Sequence, residues 1–171
     1  MKKLILILTT ILTVGLSQNA FAQKQSIVDI AVSNNDFSTL VTALKAADLV
    51  TALQGDGPFT VFAPTNAAFG KIDSNTLNSL LEPKNKGTLT SILTYHVVPG
   101  KLAAADVVAA LEKGNGMAKV KTLSGATLVV VQKNGKIWLK DENGNYSEIT
   151  ATDVMASNGV IHVIGDVVMP K

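Results

Sequence analysis

Two histidines are the only imidazoles in this chain, and both stand in apolar surroundings. His96 lies in LTYHVVPG, residues 93–100, and His162 in NGVIHVIGDVVMP, residues 158–170. Imidazole in such a setting ligates a metal, moves a proton, or joins core elements through its two ring nitrogens. A metal centre needs a third and a fourth ligand, and without cysteine these must be carboxylates. No Asp or Glu stands at i+4 on a helix with either histidine, and Asp153 and Asp166 could approach only through the fold. Nucleophilic catalysis has no support either: G-x-S-x-G, S-x-x-K and G-x-x-x-x-G-K-[ST] are all missing. DENGN, 141–145, has calcium-loop residue types, but its Gly is misplaced and no bidentate Glu follows at the required distance, so it reads as a turn. The expectation is a non-enzyme with no catalytic residue, no metal site and no cofactor.

The structural reading of each histidine follows from its neighbours. In an extended strand Val160, His162 and Ile164 share one face, and Ile161 and Val163 the other. Both faces are apolar, which predicts a central strand with His162 buried and neutral. A buried ring needs a donor and an acceptor, and Thr65 and Asn66 are the side chains expected to supply them. His96 falls where a helix gives way to the strand HVVP, a place with spare backbone groups.

The elements that position these residues divide the chain. Ser26 and Asp29 form a capping box ahead of Ile27, Ile30 and Ala31. Asp36 precedes Phe37, Leu40, Val41 and Leu44, the spacing of a core-facing helix. Gly55-Asp56-Gly57-Pro58 is a turn, and FTVFAP after it a strand ended by Pro64. Thr65 or Asn66 caps a short helix through Phe69, which plugs the core. Leu77, Leu80 and Leu81 mark a helix stopped by Pro83, and Leu89, Ile92 and Leu93 the next. From about residue 119 the period becomes two, with a hairpin at Asn134-Gly135 and a turn at Asn143-Gly144-Asn145. Helices first and antiparallel strands later predict an α+β fold.

The first residues read as an export signal. Lys2 and Lys3 precede an apolar run from Leu4 to Leu16, and Ala20-Phe21-Ala22 supplies small residues for cleavage. The expectation is a signal peptide over 1–22 and one domain over 23–171, secreted or periplasmic, with no membrane span once the signal is removed. Removing Lys2 and Lys3 leaves acids and lysines equal in number, and the chain has no Arg. Bidentate capture of phosphate or guanine is the work of Arg, so nucleic acid is excluded as a partner.

Three stretches together resemble the fasciclin (FAS1) domain. TVFAPTNAAF, 60–69, is similar to that family's first box, LTYHVVPG to its Tyr-His motif, and NGVIHVIGDVVMP to its second box. The resemblance covers essentially all of 23–171. It implies a wedge of mostly antiparallel strands with several helices packed on it, and a non-enzymatic role in adhesion or cell-surface and matrix interaction. It also implies candidate interaction residues, Tyr95 and His96 in the Tyr-His motif and Asp153-Val154 before the second box. Gly165 stands where the family often has an acid, with Asp166 one place later, so no role of that acid carries over.

Asp153 has a plainer reading, a loop Asp bonding nearby amides ahead of Ser157-Asn158-Gly159. Trp138 is the remaining residue of interest. A two-residue turn at Asn134-Gly135 puts Lys136, Trp138 and Lys140 on one face, with Trp138 opposite Val131. Covering Val129 and Val131 is the ordinary role of that indole; contact with a partner is the other. The expected partner is a cell-surface or matrix protein or a polysaccharide. The alternative function is carriage of a hydrophobic small molecule such as a carotenoid or lipid.

Overall fold

The computed structural model describes residues 25–171. The expected signal peptide, 1–22, lies outside the described residues. Four helices, α1 (Ile27–Ser33), α2 (Ser38–Ala46), α3 (Val50–Leu53) and α4 (Asn66–Phe69), surround the first strand, β1 (Phe59–Pro64). Then come α5 (Ser74–Leu81), α6 (Lys86–Tyr95), β2 (Val97–Pro99) and α7 (Ala104–Lys113). The chain finishes in strands: β3 (Met117–Lys121), β4 (Thr127–Lys133), β5 (Lys136–Lys140), β6 (Tyr146–Ala156) and β7 (Gly159–Ile164).

Local sequence explains most of these boundaries. The Ser26–Asp29 capping box starts α1, the Ser26 hydroxyl accepting from the Asp29 amide and the Asp29 carboxylate from the Ser26 amide. Thr65, not Asn66, caps α4 by accepting from the Ala68 amide at 3.3 Å. Asn134 and Gly135 both take positive φ, 54° and 75°, as a two-residue hairpin turn requires. Val28 joins Ile27 and Ala31 as the buried residues of α1, and Ile30 is partly buried and packs against the same core. Helix α7 had no counterpart in the sequence reading, although Val107 and Leu111, one turn apart, are the residues it buries.

The seven strands form one sheet in the order β2-β1-β7-β6-β5-β4-β3. Every pairing is antiparallel except β1 with β7. Strand β6 links the two halves: Tyr146–Glu148 pair with β5, and Ile149–Ala156 with β7 through two register shifts. The Leu123 amide after β3 donates to the Val97 carbonyl in β2 at 2.7 Å, so the sheet curls and its two edges meet.

Strand alternation sorts side chains into two cores. Val61, Ala63 and Ile161 pack with α1–α4 and α6 in one cluster; Phe62, Ile164, Leu128, Val130 and Leu139 pack with Val107 and Leu111 of α7 in the other. Strand β7 therefore lies between apolar layers, as its sequence predicts. Gly159 opens β7 because a Cβ there would stand 2.0 Å from the Phe59 carbonyl oxygen. The turn before it is fixed by Asn158, whose amide nitrogen donates to the Leu53 and Gly55 carbonyls while its oxygen accepts from the Ile27 amide.

Candidate functional site

His162 is 1% exposed and stacks on Phe62, its register partner across β1 and β7, with ring centroids 5.6 Å apart. Its Nε2 donates to the Leu102 carbonyl at 2.7 Å, and its Nδ1 accepts from the Asp153 amide at 3.4 Å. These partners assign the neutral Nε2–H tautomer. Neither is the Thr65 or Asn66 expected from the sequence. Asn66 instead clamps the segment ahead of α2, accepting from the Thr39 amide and donating to the Asn35 carbonyl and the Ser38 hydroxyl. Phe69 is buried in the helical core.

The loop that meets His162 is held by Thr60. Its hydroxyl donates to the Gly100 carbonyl at 2.7 Å and accepts from the Leu102 amide at 2.8 Å. Asp153 closes the arrangement from the other side. It lies in β6, at the irregularity where Ala151 and Val154 bracket His162 of β7, and takes φ +60°. Asp tolerates this left-handed conformation better than a bulky residue does. Its carboxylate accepts from the Ala104 amide at the start of α7, at 2.8 Å. The sequence expected a loop Asp with nearby partners; the partner is 49 residues away. Val154, half-buried, pairs with Ile161 of β7 and packs on the helical core.

His96 caps α6 and is enclosed. Its Nδ1 donates to the Ile92 carbonyl at 2.8 Å and its Nε2 accepts from the Val168 amide at 3.2 Å. Burial pushes its pKa down to about 4, partly offset by the Ile92 hydrogen bond. Tyr95 beside it is wholly buried, and its hydroxyl donates to the Thr127 carbonyl at 3.1 Å. Its phenol is pushed up to about 12, first by burial and then by the charge of Glu142. Tyr95 and His96 thus present no surface to a partner in this conformation, contrary to their candidacy as contacts.

Neither imidazole keeps a free lone pair for a proton or a metal. Among the described residues no three His, Cys, Asp or Glu side chains gather closely enough to hold a metal ion. Asp141 in the DENGN turn is buried and faces hydrogen-bond donors, accepting from the amides of Asn143, Asn145 and Met169 and from the Asn145 side chain. A carboxylate so occupied organises a turn. Asp166 makes an exposed ion pair with Lys71 at 2.6 Å. The helical core encloses an apolar space of about 20 Å³ next to Phe37, Leu93 and His96, far below the size of a carotenoid or lipid.

Trp138 is the candidate that remains at the surface. It is half-buried, pairs with Val131 as predicted, and its Nε1 is buried without a partner. Tyr146, 44% exposed, lies near it on β6, with the Lys133 and Lys140 ammonium groups 5.8 and 5.6 Å from its ring centroid.

A family model described as the fasciclin domain matches residues 35–170. Protein sll1483 of Synechocystis sp. is 48% identical over 162 residues, covering 95% of this chain and 83% of that one. Transforming growth factor-beta-induced protein ig-h3 of Sus scrofa is 34% identical over 85% of this chain, which spans only 19% of ig-h3. Among solved structures, a FAS1 domain pair from the insect cell adhesion molecule Fasciclin I superposes with a TM-score of 0.73. That likeness covers 83% of this chain and 50% of the other at 19% identity, and it is one of fold.

Proposed function

The chain belongs to the fasciclin domain family, and from that premise we propose that it is an exported, non-enzymatic domain for adhesion or for cell-surface and matrix contact. The family is generally non-enzymatic, and the solved fold neighbour comes from a cell adhesion molecule. The observation that carries the proposal is where unspent chemistry lies. The interior histidines have both ring nitrogens engaged, whereas Trp138, Tyr146 and several lysines sit on an open sheet face. No helix of the described residues is long and apolar enough to cross a membrane; retention at an envelope by binding one of its components is part of the proposal.

The test is attachment of the purified protein to cells, envelope fragments, matrix protein and polysaccharide, each immobilised in turn. Adhesion predicts saturable retention on at least one of them; retention on none of them ends this reading. Carriage of a carotenoid or lipid is separated by native mass spectrometry of protein recovered from its host. An organic-extractable extra mass would replace adhesion with carriage.

A further inference from the structure

The outward positions of β3 to β6 form a regular lattice because the four strands are in antiparallel register. Met117, Val131, Trp138 and Glu148 stand side by side across the strands, and so do Lys119, Val129, Lys140 and Tyr146 in the next row. Lys133 and Lys136 pair beyond the first row, and Lys121 with Thr127 beyond the second. The result is an apolar and aromatic centre within a border of lysines, with Glu148 in the first row and Glu142 bonded to the Thr127 amide beyond the second. Glu148 is itself paired with Lys136 at 2.6 Å. The inner side of the same strands buries Leu128, Val130 and Leu139 against α7, so this outer side is their solvent face.

Charge makes the face unusual. Residues 23–171 hold equal numbers of acids and lysines, so this excess of lysine is a segregation, not a property of the composition. Lys119, Lys121, Lys133 and Lys136 are exposed and Lys140 half-buried. Lysine ammoniums on flexible stems suit carboxylates spaced along a polymer, with no need for the fixed fork of arginine. Side chains repeat about every 6.7 Å along a strand and about 4.8 Å across strands, a spacing that lets one chain meet several charges together. Trp138 lies half-buried in the face rather than projecting from it, a platform for a sugar ring and a poor wedge for a lipid headgroup layer.

We propose that the outer face of β3–β6 binds an acidic polysaccharide, its carboxylates meeting Lys119, Lys121 and Lys140 and its sugar rings packing over Trp138 and Tyr146. This names the partner class of the adhesive reading above and rests on it. Because Trp138 is the chain's one tryptophan, its fluorescence reports the site directly. Titration of the full protein with polygalacturonate should shift the Trp138 emission saturably, and dextran of equal length should not. Added sodium chloride should weaken the binding, since exposed charges are screened. Replacing Lys119, Lys121 and Lys140 together by Gln should weaken it about tenfold or more. The control replacement of Lys45, Lys84 and Lys113 by Gln should leave it within about twofold, the scale of lost distant screened charges.

An unchanged Trp138 emission, equal binding of dextran, or equal loss in the control variant would each overturn the proposal. So would binding to phosphatidylglycerol vesicles with none to polygalacturonate. If wild type and the triple variant adhere equally to envelope fragments, adhesion stands and this face fails. If the wild type binds polygalacturonate through the face yet holds to no envelope, cell or matrix preparation, the face stands and its adhesive use fails.

Discussion

His162 on β7 and Trp138 on β5 each bring a nitrogen-bearing ring into the same sheet, with opposite outcomes. Both nitrogens of His162 are hydrogen-bonded, one to the Leu102 carbonyl and one from the Asp153 amide, whereas Trp138 Nε1 has no partner. The difference follows from sheet position. Strand β7 sits between β1 and β6 with apolar layers on both faces, where an unpaired polar group would cost about 1–3 kcal/mol. Strand β5 has only one covered face, yet Trp138 Nε1 is itself buried and bears that cost. Polar groups of the covered region hold the fold in register, whereas on the open face it is the lysines that reach solvent.

The largest test of that contrast is His162→Ala. It removes a ring stacked on Phe62 and strands the Leu102 carbonyl and the Asp153 amide, so a loss of roughly 3–5 kcal/mol is expected. Chemical denaturation measures it. A stable variant that lost attachment would move His162 from the structural to the functional side.

The pH profile of His96 comes next. Its pKa is held at about 4 when folded, against 6.5 for the free group. Between these values the unfolded chain binds more protons, so stability is full above pH 6.5 and falls as the pH drops to about 4. The contribution lost is about 3 kcal/mol. Imidazole resonances of His96 should stay in the neutral form until the pH nears 4; protonation near 6.5 in the folded protein would show that the site is open.

Asp153 separates the two regions at a smaller scale. Asp153→Ala loses the bond to the Ala104 amide and places Ala at a left-handed φ, for a cost of about 1–2 kcal/mol. Asp153→Asn keeps the acceptor and the tolerated conformation, and its melting temperature should stay close to that of wild type. Attachment lost in the Asn variant at unchanged stability would identify the carboxylate charge as a contact. The smallest effect belongs to Lys136→Gln on the open face, which breaks the Glu148 pair for less than about 1 kcal/mol. A larger loss would mean that this face is part of the structural framework.

The missed features share a cause. Helix α7 buries only Val107 and Leu111, set among alanines, so its core face is two residues wide although its amphipathic pattern is clear. The first-box position of Asn66 reveals a polar role but not its direction; it faces Asn35, Ser38 and Thr39 rather than His162. Thr60 and Asn158 stand inside the resembling boxes, and only the fold shows that they hold the 100–102 loop and join α1 to the β6–β7 turn. The Asn-Gly pair ahead of an apolar strand marks a turn at Asn158, but not that its side-chain amide reaches Leu53, Gly55 and Ile27.

Sequence alone determined what depends on near neighbours. The Ser26–Asp29 box, the Asn134-Gly135 turn, the alternation along β7 and the Trp138–Val131 pairing all follow from residues a few positions apart or joined by a two-residue turn. The three boxes, read in order, also carried the family and with it the fold. Tertiary structure decided which distant backbone group meets each polar side chain: Leu102 for His162, Ala104 for Asp153, Val168 for His96. It also decided that the lysines of β3, β4 and β5 gather on one face. Alternation tells which side of a strand a residue occupies, but only the packing of the whole sheet sets what stands opposite and which side is left to water.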